Sequence, residues 1–167
     1  TGFVSADYEK WPDFSQLILL VSMFLGAMAG STGGGIKIVR IVLMVKQGYQ
    51  QVFRIIHPHA VTTVKLGSQP VSTDILASIW GFFFLYMGLF VVASLIMAAL
   101  GLDFISALSS VAASMGNIGP GFGLVGPIRN YLEIPEAGKW VLISCMLLGR
   151  LEIYTVIVLL VPEYWRK

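Results

Sequence analysis

Residues 103–123 read DFISALSSVAASMGNIGPGFG, and this stretch decides which kind of fold the chain can form. Its first part, residues 103–115, is rich in alanine and serine and predicts a helix about 20 Å long. Proline and repeated glycine after residue 115 end that helix and permit an irregular, extended backbone. A helix that crosses a hydrocarbon core about 30 Å thick needs roughly 20 residues. The predicted helix is therefore too short to cross a membrane.

The segments on either side are long and apolar. Residues 75–100 contain no charged side chain, and residues 140–161 contain only Arg150 and Glu152. Each is long enough to cross a membrane, and a core helix of a soluble protein seldom stays apolar all round for so long. Charged residues make up 12% of the chain, against about 25% in an ordinary soluble domain. The pattern predicts a membrane protein with a re-entrant loop between two spans. A helix lying on the membrane surface would need a basic polar face, which residues 103–115 lack.

A second glycine-rich segment, GSTGGG at residues 30–35, interrupts an apolar run. Glycine costs a helix roughly 1 kcal/mol relative to alanine, so a helix over residues 14–29 should break here and resume over residues 36–45. Lipid cannot hydrogen-bond the freed backbone, so the break must face protein or a water-filled cavity. Helix packing through Gly26 and Gly30, a GxxxG pair, is the alternative. A phosphate-binding loop is excluded because Ile36 follows, where such a loop has lysine and serine or threonine.

The charges predict one orientation in the membrane. One predicted face carries most of the basic residues: Lys37, Arg40, Lys46, Arg54, Lys65, Arg166 and Lys167. By the positive-inside rule this face is cytoplasmic, which places the C-terminus in the cytoplasm and the re-entrant loop on the outer side. Residues 51–72 then form a cytoplasmic connection, in which residues 61–66 supply one arm of a short hairpin.

The backbone of Asn117, Ile118 and Gly119 is suited to binding a cation. A dehydrated cation needs several oxygen ligands, and backbone carbonyls supply them without a buried charge. The short helix before them also points the negative end of its dipole toward the membrane interior. An ordinary glycine–proline turn is the alternative, and the preceding short helix favours the ion site.

Three motifs resemble those of the Trk/Ktr/HKT potassium transporter superfamily, and most specifically its bacterial TrkH/TrkG type. ASMGNIGPG at residues 113–121 resembles the fourth pore-loop signature, GSTGGGIK at residues 30–37 the interrupted third inner helix, and LGRLEI at residues 148–153 the last inner helix. The resemblance covers essentially the whole chain. It implies an all-α membrane fold of four fused helix–pore loop–helix repeats. Residues 1–50 would hold the end of the third filter and its broken inner helix, and residues 73–167 the complete fourth repeat.

The resemblance also implies where the transported ion passes. Potassium would be bound by backbone carbonyls of a selectivity filter, with no organic cofactor, at Gly2, Asn117, Ile118 and Gly119. A gate would lie beneath the filter, formed by Gly30, Ser31, Thr32, Gly33, Gly34, Gly35 and Arg150. The remaining filter strands would lie outside this chain, so the chain alone is not expected to conduct. The implied assembly is a lipid-embedded homodimer in the bacterial inner membrane, near a cytosolic nucleotide-binding regulator of the TrkA type, with no nucleic acid.

Arg150 lies close to the middle of the predicted span over residues 140–161. An unpaired charge at that depth costs at least about 3 kcal/mol, and Glu152, two residues away, faces a different direction. Arg150 therefore needs a partner on another element, and the carbonyls freed at residues 30–35 are suitable. A structural ion pair with a helix outside this chain is the alternative.

Enzymatic and metal-binding functions find little support in the sequence. An intramembrane enzyme needs a nucleophile with a base, or paired acids, at membrane depth. His57 and His59 fall in the predicted cytoplasmic connection, and no aspartate falls in a span. The two histidines lack cysteine or acidic companions that would complete a metal site. A non-conducting assembly subunit that uses its glycines for helix packing remains the rival to an ion pathway.

Overall fold

The structure is a computed structural model that describes residues 2–28, 31, 33–58, 60, 62–151, 153–160 and 162–165. The helices are α1 (Asp13–Ser22), α2 (Ile38–Ile56), α3 (Thr73–Ala99), α4 (Phe104–Met115), α5 (Glu136–Arg150), α6 (Ile153–Leu160) and α7 (Pro162–Trp165). The strands β1 (Lys65–Leu66) and β2 (Gln69–Pro70) pair in antiparallel fashion. Single 3-10 turns lie at Tyr8–Lys10, Gly123–Val125 and Tyr131–Glu133.

Helix α3 confirms the long apolar span predicted between residues 75 and 100. Ser72 caps its N-terminus, because the Ser72 side chain accepts the Ile75 N–H, the usual arrangement of an N-cap. Among the described residues it is the one helix that is long and apolar enough to cross a membrane by itself. Only 28% of its most apolar stretch is buried, whereas a core helix of a soluble protein is mostly buried. Its apolar exterior is suited to lipid.

Helix α4 confirms the predicted short helix. Asp103 caps its N-terminus, where the carboxylate accepts the Ser106 N–H at 3.2 Å, and the helix ends at Met115. It packs against both α3 and α5, and nine of its 12 residues are buried. Its apolar neighbours include the fully buried side chains of Tyr86 and Met97 on α3. The helix that precedes the candidate ion site is thus the centre of the core.

The break between α1 and α2 is longer than predicted. The sequence predicts helix over residues 14–29, but α1 ends at Ser22. The chain instead closes a loop, because the Gly26 N–H donates to Ile36 O at 2.8 Å and the Ile36 N–H donates to Phe24 O at 3.0 Å. These bonds satisfy backbone groups that the helix would otherwise have paired. We call residues 23–37 the neck loop.

Helix α2 also continues further than predicted, to Ile56 instead of residue 45. Its polar second half is held by the chain that follows it. The Gln50 amide and the Arg54 guanidinium both donate to Thr62, and the Lys46 ammonium donates to the Lys65 carbonyl at 2.9 Å. The predicted hairpin arm is confirmed at Lys65–Leu66, and Gly67 turns the chain with a φ of 63°.

The last predicted span, residues 140–161, is not one continuous helix. Helices α5 and α6 are bent by 105° between Arg150 and Ile153, so Arg150 ends a helix instead of lying in the middle of one, and it is exposed. The physical reason lies in packing. The Tyr154 hydroxyl donates to the Ser78 carbonyl at 3.3 Å and its ring contacts Phe82, which holds α6 against α3. The Thr155 hydroxyl donates to the Leu151 carbonyl, a bond that favours bending.

Candidate functional site

The candidate ion-binding segment, residues 116–123, leaves α4 with an irregular backbone. Asn117, Gly119 and Gly123 adopt positive φ values of 52°, 112° and 70°. The Gly119 carbonyl accepts the Tyr131 hydroxyl at 2.5 Å, and the Gly121 carbonyl accepts the Tyr8 hydroxyl at 2.7 Å. For the carbonyls of Asn117 and Ile118, the described residues supply no hydrogen-bond donor. The carbonyls of Gly116 and Pro120 also accept no bond from the described residues, and of these four open oxygens those of Asn117 and Ile118 belong to the predicted filter residues.

Gly2, the predicted filter residue of the preceding repeat, lies beside this segment. A methyl group at Gly2 would lie 3.5 Å from the Ile118 carbonyl oxygen, and one at Gly119 would lie 3.1 Å from the Gly2 Cα. The structure thus brings together two predicted filter residues, Gly2 and Gly119, that are far apart in the sequence.

A cavity of about 530 Å³ adjoins both segments. Its lining includes Gly2, Asn117 and Ile118, together with Ser22 at the end of α1. Among the described lining residues, Tyr8 is the only titratable one, and burial raises its pKa to about 12. A cation in this cavity would therefore meet neutral oxygens and no carboxylate.

Side chains brace the candidate ion-binding segment from behind. The Ser109 hydroxyl accepts the Phe122 N–H and donates to the Phe122 carbonyl, both at 2.9 Å. The Ser106 hydroxyl accepts the Leu124 N–H at 2.8 Å, and the Glu9 carboxylate accepts the Gly123 N–H at 2.6 Å. Sequence reasoning missed all of these. A signal was available for Ser106 and Ser109, because residues three apart lie on the same face of a helix. Nothing local in the sequence marks Glu9, Tyr8 or Tyr131.

The neck loop lies directly against the base of this segment. Gly34 is buried, and a methyl group there would lie 2.7 Å from both the Met115 carbonyl oxygen and the Asn117 amide nitrogen. The same amide donates to the Met146 carbonyl of α5 at 3.2 Å. Ser31 and Gly33 are exposed. Of the other predicted gate residues, Gly35 is buried, while Gly30 and Thr32 lie outside the described residues.

Arg150 follows Gly149, whose backbone packs against the Met115 carbonyl so closely that a side chain would overlap it. Arg150 is therefore one residue from the base of the candidate ion-binding segment. The described residues show no hydrogen bond between Arg150 and Ser31 or residues 33–35. The predicted contact between Arg150 and the neck loop is thus not among the contacts of the described residues, and Glu152 lies outside them.

The described residues contain no group of three or more His, Cys, Asp or Glu side chains that could hold a metal ion. His57 ends α2, where its ring contacts Phe53, and His59 lies outside the described part of the chain.

Comparison with known proteins gives consistent matches. A match to the TrkH family, described as cation transport protein, extends over residues 1–167. The chain is 44% identical over 166 residues to the Trk system potassium uptake protein TrkH of Escherichia coli (strain K12), covering 99% of this chain and 34% of that protein. It is 37% identical over 166 residues to the Trk system potassium uptake protein TrkG of the same organism, with the same coverage.

A crystal structure also matches. The potassium transporter TrkH from Vibrio parahaemolyticus superposes with a TM-score of 0.87 at 43% sequence identity, covering 98% of this chain and 35% of that one. The chain spans about a third of the length of the relatives it matches.

Proposed function

Because the chain belongs to the TrkH family of cation transport proteins, we propose that it forms part of the selective pathway of a potassium uptake protein in the bacterial inner membrane. One observation carries this proposal. Gly2 and residues 118–119 meet beside a cavity whose described lining contains neutral oxygens and no carboxylate. Such a lining can replace water around a monovalent cation without trapping it.

The carbonyls of Gly2, Asn117 and Ile118 would contact the ion. The Gly119 carbonyl already accepts the Tyr131 hydroxyl, so its contribution to the ion is the weakest of the four. Helix α4 ends immediately before them at Met115, and the negative end of its dipole favours a cation over an anion. The other filter strands would come from the part of the relatives that this chain does not match.

The neck loop would act as the gate. Gly34 contacts the base of the candidate ion-binding segment, while the tip at Ser31 and Gly33 is exposed. Arg150 lies close to the base of the candidate ion-binding segment. There it would place a positive charge beneath the pathway and hold the neck loop closed. Uptake faster in Arg150→Ala than in wild type supports this role, and unchanged uptake with poor folding assigns Arg150 to structure instead.

The surroundings follow from the same proposal. The basic residues at the end of α2 and in the hairpin (Lys46, Arg54 and Lys65) would lie in the cytoplasm with the C-terminus. There, residues 51–72 would contact a cytosolic nucleotide-binding regulator of the TrkA type. The complete protein would be a homodimer in lipid.

The test is rubidium uptake by the complete transport protein that contains this chain, in a bacterium deficient in potassium uptake and with its cytosolic partner present. Gly119→Ser is compared with Gly48→Ser, because Gly48 has open space around it. A serine at Gly119, where φ is 112°, strains the backbone at the filter.

We expect uptake to fall, or to shift toward sodium, in Gly119→Ser only. Uptake that is identical in both variants and wild type removes the filter assignment. It then favours a non-conducting assembly subunit, whose glycines serve helix packing.

A further inference from the structure

Tyr131 is held in place beside the candidate ion-binding segment. It opens the 3-10 turn Tyr131–Glu133, which Asn130 caps by accepting the Leu132 N–H at 3.0 Å. The Lys139 ammonium donates to the Leu132 carbonyl at 3.2 Å, which ties the turn to α5. The Tyr131 ring packs against the apolar core that includes Val111 and Val125. These contacts fix the position of the Tyr131 hydroxyl.

That hydroxyl meets the carbonyl of a glycine in the candidate ion-binding segment. It donates to the Gly119 carbonyl at 2.5 Å, the short end of the range for such bonds. Gly119 has a φ of 112°, and glycine has no side chain to restrict the neighbouring peptide planes. Burial raises the pKa of Tyr131, so the phenol keeps its proton and remains a donor at neutral pH.

We propose that Tyr131 is a positioning residue for ion discrimination, which fixes the Gly119 carbonyl and thereby limits how far the filter can contract around a smaller cation. This inference rests on the proposed function. Sodium needs closer oxygens than potassium, so discrimination depends on how far the carbonyls can move as well as on their number. A tether on one carbonyl resists that movement. The loss of this tether should therefore change the preference between ions more than it changes the amount of folded protein.

Tyr8 supplies a second tether close by, on the Gly121 carbonyl. Its ring also packs edge-on against Phe122, with the centroids 5.1 Å apart. The two hydroxyls hold the carbonyls on either side of Pro120 from two different parts of the chain. Tyr131 acts on the one nearer to the open carbonyls of Asn117 and Ile118.

The experiment compares Tyr131→Phe with Tyr154→Phe in the complete protein. Tyr154 is a matched control, because its hydroxyl also donates to a backbone carbonyl, that of Ser78 on α3. The measurement is the concentration of sodium that halves rubidium uptake, divided by the concentration of potassium that does so. This ratio does not depend on how much protein reaches the membrane.

The loss of one hydrogen bond should lower this ratio about two- to tenfold in Tyr131→Phe and leave it unchanged in Tyr154→Phe. An unchanged ratio in Tyr131→Phe, when Gly119→Ser does alter it, overturns the role of Tyr131 and leaves the filter assignment standing. An unchanged ratio in both Tyr131→Phe and Gly119→Ser overturns the filter assignment itself. If Tyr131→Phe abolishes uptake, the ratio is measured instead from the protection of the purified protein against heat by rubidium and by sodium, and the same outcomes support or overturn the role of Tyr131.

Discussion

Two glycine-rich segments interrupt helical structure in this chain, and they are held in different ways. Residues 116–123 and the next residue, Leu124, are braced by side chains from other parts of the chain: two tyrosine hydroxyls, two serine hydroxyls and a carboxylate. The neck loop is closed by backbone bonds near its base, between Gly26 or Phe24 and Ile36. At its exposed tip, the Gly33 N–H donates to the Ser31 hydroxyl only two residues away. Glycine content alone does not distinguish the two segments, but their anchors do.

The difference fits the two proposed tasks. A filter must keep its carbonyls in place while ions pass, and long-range side-chain bonds restrict its backbone. A gate must exchange between arrangements, and a loop closed at its neck can move its tip without losing the bonds at its base. The two segments touch at Gly34, which packs against Met115 and Asn117.

The largest effect is expected where the two segments touch. Gly34→Ala would place a methyl group 2.7 Å from the Met115 carbonyl oxygen, a backbone atom that cannot move without moving the end of α4. Overpacking of this kind costs about 1 to 3 kcal/mol, so we expect rubidium uptake to fall about tenfold or more.

Gly33→Ala is the matched control. A methyl group there would lie 3.2 Å from the Ala27 Cβ and 3.6 Å from the Ser31 hydroxyl oxygen, with no backbone atom closer than 4.0 Å. Uptake should therefore stay within about twofold of wild type, because surface changes usually cost little. Equal losses in the two variants would mean that the whole neck loop is rigid, and the contrast between gate and filter would fail.

A smaller effect is expected from the side chains that brace the candidate ion-binding segment. Ser109→Ala removes both bonds to Phe122 and leaves a buried N–H and a buried carbonyl without their partner. Each such loss costs about 1 to 3 kcal/mol, so the purified complete protein should melt several degrees lower. Ser144→Ala provides the comparison, since the Ser144 hydroxyl is exposed and donates to the Trp140 carbonyl of its own helix. If Ser144→Ala lowers the melting temperature as much as Ser109→Ala, the braces contribute no special rigidity.

Much of this architecture could be predicted from the sequence. The span at α3 and the short helix α4 follow from their apolar length and from the proline and glycines after Met115. The family resemblance, carried by the motifs around residues 30–37, 113–121 and 148–153, is confirmed by the match to the TrkH family. Membership of a transport family also agrees with the exclusion of an enzyme.

The remainder depends on tertiary contacts that local sequence does not encode. The early end of α1 arises because Gly26 pairs with Ile36 across the neck loop. The bend after Arg150 arises because Tyr154 holds α6 against α3, and no proline marks it. The hydrogen bond from Tyr131 to Gly119 joins the turn Tyr131–Glu133 to the candidate ion-binding segment, and no sequence periodicity marks it. Helix type could therefore be predicted, whereas helix ends and side-chain braces could not.

The smallest effect is expected at the N-terminus of α4, the end of this helix that lies farthest along the chain from the candidate ion-binding segment. Asp103 caps α4, and hydrogen bonding by Ser106 holds the pKa of Asp103 below its ordinary value. A carboxyl with a depressed pKa in the folded state adds stability above its unfolded pKa of about 3.9, and this stability is lost as the pH falls through the lower folded value.

Asp103→Asn keeps a good cap without a charge. Because Asp103 is exposed, wild type should exceed Asp103→Asn by only about a few tenths of a kcal/mol at pH 7. That margin, measured as the difference in melting temperature, should shrink as the pH falls below the unfolded pKa of about 3.9 and disappear once the folded carboxyl is protonated. A margin that persists or grows at low pH would mean that the carboxylate charge does not stabilise α4. The candidate ion-binding segment would then be held only by the side-chain hydrogen bonds from the tyrosines, the serines and Glu9.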